Sequence, residues 1–359
     1  MFTDAGVYQN KVAYRQIDLS GRYFVDYVPG NETLVITFYP VGFVNERAMR
    51  EAEPWGLRFL SRYGTSILGV KPAKADWYRG ADLHRFFRSD EFADFAKGFD
   101  RVILYGGSMG AFAALVFSQA VANAEVIALS PQSTLDPALV PWDQRFPDAA
   151  SLDWTGDFAD AAALRHVQKL HIAFDPLDPC DRRHAARIPS ENRIDILLPF
   201  LGHASPVWLT KLGLLQDLVG QILARTFDQA AFRQLLKRRR ELAQYFIEMS
   251  RRAGTRRPDL RRIALEKAET LAATDMSALP SIAQMHVDEG RPDQAEAVLH
   301  RFIEMKPDLP QGHYQLARLL KQQGRFDEAA SFGERALSLN PKNRFYQEWL
   351  VDLASARGR

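Results

Sequence analysis

The chain has 359 residues, of which 47% are hydrophobic and 25% charged, and its formal net charge is +2. This composition excludes a largely disordered chain, and the length predicts about two domains. The balanced charge gives no reason to expect an acidic polymer as partner, and a single cysteine, Cys180, excludes an internal disulfide.

The N-terminal MFTDAGVYQNKVAYRQ has no basic stretch followed by an apolar core, so no secretory signal is expected. No run approaches about 18 uninterrupted apolar residues, so no membrane span is expected either. A cytoplasmic protein is the default expectation. Up to about residue 226, short apolar runs alternate with amphipathic stretches. The runs are 23–28, 33–39, 66–70, 101–106, 125–130, 170–174 and 193–198. Several are apolar almost throughout, as strands buried on both faces of a parallel sheet are. Helix-like segments at 84–97, 109–122 and 206–225 lie between them, which predicts an α/β domain with helices on both faces of one mostly parallel sheet. The turn PGNE suggests that 23–28 and 33–39 form an antiparallel hairpin.

The segment RVILYGGSMGAFAALVFS carries the strongest chemical signal. An apolar strand runs into Gly106-Gly107-Ser108-Met109-Gly110, and a helix of small residues follows. This is G-x-S-x-G in a strand–turn–helix setting, which stands a nucleophilic serine at the tip of a strained turn. Gly106 and Gly110 remove side chains that would collide with the neighbouring helix and strand. The helix N-terminus favours developing negative charge.

On these residues the segment of about 12–225 resembles the α/β-hydrolase family. That resemblance implies the order nucleophile, acid, histidine. Ser108 is followed by Phe174-Asp175-Pro176-Leu177-Asp178-Pro179-Cys180-Asp181 after one strand. His203, in Leu201-Gly202-His203-Ala204, follows another. The acid is Asp175, Asp178 or Asp181. The family's habit of placing it on a turn a few residues past the strand favours Asp178, and Asp175 then fixes the turn. The implied oxyanion donors are the N–H of Met109 and one from Tyr39-Pro40-Val41-Gly42-Phe43, with Val41 and Gly42 as candidates. The family's His-Gly pair is missing there.

The Pro- and Trp-rich stretch between 130 and 170 is expected to cover the site. It offers Trp142, Arg145 and Trp154 as pocket residues. Trp77 and Tyr78 lie near another strand end, and Arg182, Arg183 and His184 follow the acid loop. Each has a packing or surface alternative. Cys180 is expected to be an inert thiol. His84, His166, His171, His184, His286, His300 and His313 show no paired ligand spacing, so neither a metal nor a cofactor is expected.

Beyond 226 the strand signal ends. Residues 227–275 predict a basic helical linker, with eleven Lys and Arg between 233 and 262. No nucleic-acid module accompanies it, so a solvated helix face is expected. Gly290 and Gly324, Ala295 and Ala329, and Pro307 and Pro341 are each 34 residues apart. This period resembles the tetratricopeptide repeat, a helix–turn–helix unit. Units at 276–309 and 310–343 are followed by a capping helix from 344, giving an all-α domain over 276–359. Leu279 and His313 replace the usual aromatic near the start of each first helix. Such repeats imply a protein or peptide partner.

The expectation is a hydrolase domain at 1–226 acting on an ester or thioester of an acylated small molecule or carbohydrate through an acyl-enzyme. Alternatives are acyl transfer with the same triad, or a non-catalytic scaffold serving as an adaptor.

Overall fold

The structure, a computed structural model, describes residues 4–8, 11–42, 46–165, 167–189, 191–272 and 276–357. Phe43 and His166 lie outside these. The chain divides into two compact units, 1–237 and 238–359.

The first unit holds one nine-stranded sheet. Its strands are β1 (Asp4–Val7), β2 (Ala13–Leu19), β3 (Tyr23–Val28), β4 (Asn31–Phe38), β5 (Thr65–Pro72), β6 (Arg101–Gly107), β7 (Glu125–Leu129), β8 (Lys169–Phe174) and β9 (Arg193–Leu197). The order is β1-β2-β3-β5-β4-β6-β7-β8-β9. The pairs from β1 to β5 are antiparallel and those from β5 to β9 are parallel. Every residue of β5 and β7 is buried, which requires cover on both faces of the sheet.

The hairpin expected from 23–28 and 33–39 is not formed, because β5 lies between the two strands. Gly30 sends the chain across the start of β5. A Cβ there would stand 2.5 Å from the carbonyl oxygens of Gly64 and Thr65. The hairpin is instead β2–β3, turned at Ser20 and Gly21, both at positive φ.

The helices of this unit are α1 (Glu46–Glu51), α2 (Leu57–Leu60), α3 (Ala81–Arg88), α4 (Asp90–Lys97), α5 (Met109–Phe117), α6 (Pro179–Arg187), α7 (Ser205–Lys211), α8 (Leu214–Leu223) and α9 (Gln229–Leu235). The α5 helix is buried all round, as its apolar composition demands. It shares one core with the aromatic side chains of α3 and α4, where the Phe87 and Phe117 rings stack at 4.2 Å. Instead of opening a linker, α9 packs on the first unit. Phe232 is buried near Phe227, and Gln229 donates to the Asp195 carbonyl at 2.5 Å.

The second unit is helical throughout its described residues: α10 (Ala243–Ala253), α11 (Pro258–Ala272), α12 (Leu279–Asp288), α13 (Pro292–Met305), α14 (Pro310–Gln322), α15 (Phe326–Leu339) and α16 (Arg344–Arg357). Gly290 and Gly324 take left-handed backbone angles in the turns of α12–α13 and α14–α15. The stretch expected as a linker forms the α10–α11 pair, whose Ile247 and Leu265 share a core with Leu279 and Ile282. Five of its arginines, 238, 251, 252, 261 and 262, meet glutamates. No described helix is long and apolar enough to cross a membrane.

Candidate active site

Ser108 sits between the end of β6 and the start of α5. Its backbone angles are φ 51° and ψ −119°, a strained conformation for a residue with a side chain. The turn is held on both sides. The Ser108 N–H donates to the Leu129 carbonyl, and the Ser108 carbonyl accepts from Ala111 and Phe112. A Cβ on Gly106 would lie 2.1 Å from the Gly110 carbonyl oxygen, and one on Gly110 would lie 2.3 Å from that of Phe38. Both glycines of the motif are therefore required by close backbone approach.

His203 follows β9, and its Nε2 lies 2.9 Å from Ser108 Oγ. Its Nδ1 lies 2.8 Å from Oδ1 of Asp181. The carboxylate that meets the histidine is therefore that of Asp181, and the expectation of Asp178 is corrected. Asp178 caps α6: its Oδ1 accepts the N–H groups of Cys180 and Asp181 at 3.0 and 2.9 Å. Asp178-Pro179 is an N-cap followed by proline at the first helical position, and that local signal was available in the sequence. Asp181, one turn into the helix, is left to point at the histidine. Asp175 is buried and accepts from the N–H groups of Leu177 and Gly202, both at 2.8 Å. It fixes its own turn and ties it to the histidine loop.

Burial would push the Asp181 carboxyl up. The hydrogen bond and charge of His203, with the charge of Arg145, outweigh it and hold the group below the usual range. An ionised Asp181 fixes the imidazole with its proton on Nδ1, leaving Nε2 to accept from Ser108. Gln132, in the loop after β7, also brings its amide nitrogen to 3.3 Å from Nε2. Nothing in the sequence singled Gln132 out.

Ser108 and His203 open on a cleft of about 520 Å³. Its walls include Val41, Trp55, Phe59, Tyr105, Phe146 and Leu215, and among the described residues no Asp, Glu, Lys or Arg lines it. Met109 is the first residue of α5, so its N–H has no acceptor within the helix. Val41 lines the cleft, whereas Gly42 is exposed outside the lining.

Trp77, Tyr78, Trp142 and Arg182, all expected in the pocket, are not among the residues that line the cleft. Trp77 is a core residue, its ring 4.9 Å from Phe146. Tyr78 is buried and donates to the Tyr39 carbonyl at 2.9 Å, bracing the loop that leads to Val41. Trp142 packs against His184, with ring centroids 4.5 Å apart and the rings tilted, and Arg182 is exposed on α6. Trp154 is buried in the core. Arg145 is not in the cleft but on Asp181, where Nη1 donates at 2.8 Å. Cys180 is half-buried, and burial pushes its thiol up.

Residues 281–344 match the tetratricopeptide repeat family. No curated protein matches the chain in sequence. Solved structures with a similar fold include the capsule O-acetyltransferase of Neisseria meningitidis serogroup A, at 16% identity and a TM-score of 0.41, covering 59% of this chain and 94% of that one. An esterase/lipase from an uncultured bacterium is 14% identical with a TM-score of 0.39, over 67% and 87% of the two chains. Mycobacterium tuberculosis MPT51 is 14% identical with a TM-score of 0.38, over 55% and 92%. Likeness at this level says nothing of reaction or substrate. The chain's own sheet, serine turn and repeats show its architecture: an α/β-hydrolase-like domain followed by a helical region with tetratricopeptide repeats.

Proposed function

We propose that the chain is a serine-dependent acyl hydrolase or acyltransferase using Ser108, His203 and Asp181, and that it acts on esters with an uncharged, apolar acyl group. The observation that carries this reading is the unbroken pair of contacts, 2.9 Å from Ser108 to His203 and 2.8 Å from His203 to Asp181, at a strained strand–helix turn. Oγ of Ser108 attacks the ester carbonyl while its proton passes to Nε2 of His203. The carbon–oxygen bond to the leaving alcohol breaks, and His203 returns the proton to that alcohol. Water or a second alcohol then attacks the acyl-enzyme, giving its proton to His203, which protonates Oγ as Ser108 is released. The N–H groups of Met109 and Val41 are the proposed donors to the oxyanion.

The cleft supports the acyl preference, because its described walls offer apolar surface and no Asp, Glu, Lys or Arg to pair with a charged substrate. Residues 281–344 are read as the binding part for a protein or peptide segment.

A fluorophosphonate probe is expected to label the protein at Ser108, and Ser108→Ala to abolish both labelling and ester turnover. Labelling that survives in Ser108→Ala would refute the assignment. Along a series of p-nitrophenyl esters from acetyl upward, kcat/KM is expected to rise about three- to fourfold per methylene until the cleft is filled.

A further inference from the structure

We infer that Arg145, anchored by the buried pair Asp143–His184, is a positioning residue that aligns the Asp181 carboxylate on His203 and tunes its charge. The inference rests on the Ser108–His203–Asp181 reading. Both donors to Asp181 converge on one oxygen: Oδ1 meets Nδ1 of His203 and Nη1 of Arg145, each at 2.8 Å. The second oxygen, Oδ2, is buried and has no hydrogen-bond partner among the described residues. These two donors orient the carboxylate. His203 exchanges its catalytic proton at Nε2 and keeps Nδ1–H on Asp181 throughout, so Arg145 is the second donor on that oxygen and a permanently charged one.

Arg145 is itself held rigidly. Its Nε and Nη2 grip both oxygens of Asp143 at 2.9 and 2.8 Å. Asp143 in turn meets Nε2 of His184 at 2.8 Å, and both side chains are fully buried. The tautomer of His184 is fixed, because the backbone N–H of Ser133 donates to its Nδ1 at 3.1 Å. Nε2 then carries the hydrogen given to Asp143. With Nδ1 accepting from Ser133, the ring is the neutral tautomer, and burial pushes the imidazole in the same direction.

The charge count follows. Three carboxylates, Asp143, Asp178 and Asp181, lie within 3.7 Å of one guanidinium, so negative charge is in excess beside His203. Formation of the imidazolium reduces that excess. Other ionisable groups facing this cluster are Asp175, behind Gly202, the Cys180 thiol, and Arg187, whose Nη1 donates at 3.2 Å to the Ser133 hydroxyl beside His184. The next residue, Phe146, is a wall of the cleft, and the Arg145 guanidinium lies 5.6 Å from its ring. One short segment thus supports the triad acid and shapes the acyl site.

The test is the pH profile of kcat/KM for p-nitrophenyl hexanoate, with fluorophosphonate labelling as control. Arg145→Met removes a positive charge near the imidazole and one anchor of Asp181. Its acid limb is expected to move up by about one pH unit, and its rate to fall about tenfold to a hundredfold. Asp143→Asn removes a negative charge from the same cluster, so its acid limb is expected to move down. Arg145→Lys is expected to restore the limb but not the full rate, since the fork onto Asp143 is lost. If Arg145→Met fails to fold, the downward shift in Asp143→Asn decides alone. Limbs that stay at the wild-type position while labelling persists overturn the inference and leave the triad reading intact. Absence of labelling in the wild-type protein overturns both.

Discussion

The α/β unit buries an ion pair completely, whereas each described pair of the helical unit keeps at least one partner partly in solvent, even where Glu248 is buried. In the first, Lys71 and Asp26 form an ion pair with both side chains wholly buried, and Asp143, Asp175 and Asp181 are buried or nearly so. In the second, pairs such as Arg262–Glu266 leave more than half of each side chain in solvent. The helical unit is held instead by small residues that let helices approach, Ala283, Ala295 and Ala329 among them. A buried charge must be met at fixed points, and this fixes the backbone around it. That rigidity suits a strained serine turn. A surface ion pair constrains little, and repeats that differ in sequence can keep one packing pattern.

The contrast predicts a graded response to removing one partner. Lys71→Met leaves Asp26 buried among Tyr8 and Gln16 without its cation, and is expected to cost about 3–5 kcal/mol. Urea unfolding measures it, and a loss below about 1 kcal/mol would break the comparison.

The next effect is on pH. Burial pushes His84 and His171 down to about 4. An unfolded histidine titrates near 6.5, so between about 6.5 and 4 the unfolded chain binds protons that the folded chain refuses. Stability of the α/β unit is fully present above about pH 6.5. It is expected to fall as pH drops through that window, by up to about 1.4 kcal/mol per pH unit for each ring. Urea midpoints at pH 7 and pH 5 test this, and equal midpoints would mean that neither ring is held neutral by burial. Smallest of all, Glu266→Ala in the helical unit is expected to change stability by less than about 0.5 kcal/mol.

The strands from β3 to β8 were legible because burial leaves apolar runs, and β9, a half-buried edge strand, because it keeps alternate Ile and Leu residues. The repeats were legible because the 34-residue period places glycine in each turn. Strands β1 and β2 were missed. Of the two, β2 alternates exposed and half-buried residues, and its polar sequence lacks the apolar run of the inner strands. The false hairpin has another cause: strand propensity says nothing of which neighbour a strand takes, and β5 is contributed from later in the chain. Trp77 and Tyr78 show the limit for pockets, since an aromatic near a strand end serves core and cleft alike. The acid was misassigned because three aspartates share one short loop. Local capping chemistry separates Asp178 from the others, but only the tertiary approach of His203 selects Asp181.

The choice of Asp181 as the triad acid stands or falls on Asp181→Asn compared with Asp178→Asn. The measurement is the rate of fluorophosphonate labelling at Ser108 in the two variants. Asp181→Asn is expected to slow labelling by about 10⁴-fold, by analogy with loss of the acid in other triads. Asp178→Asn is expected to keep the wild-type rate, because asparagine caps a helix about as well as aspartate. A slow Asp178→Asn with a fast Asp181→Asn would contradict the account.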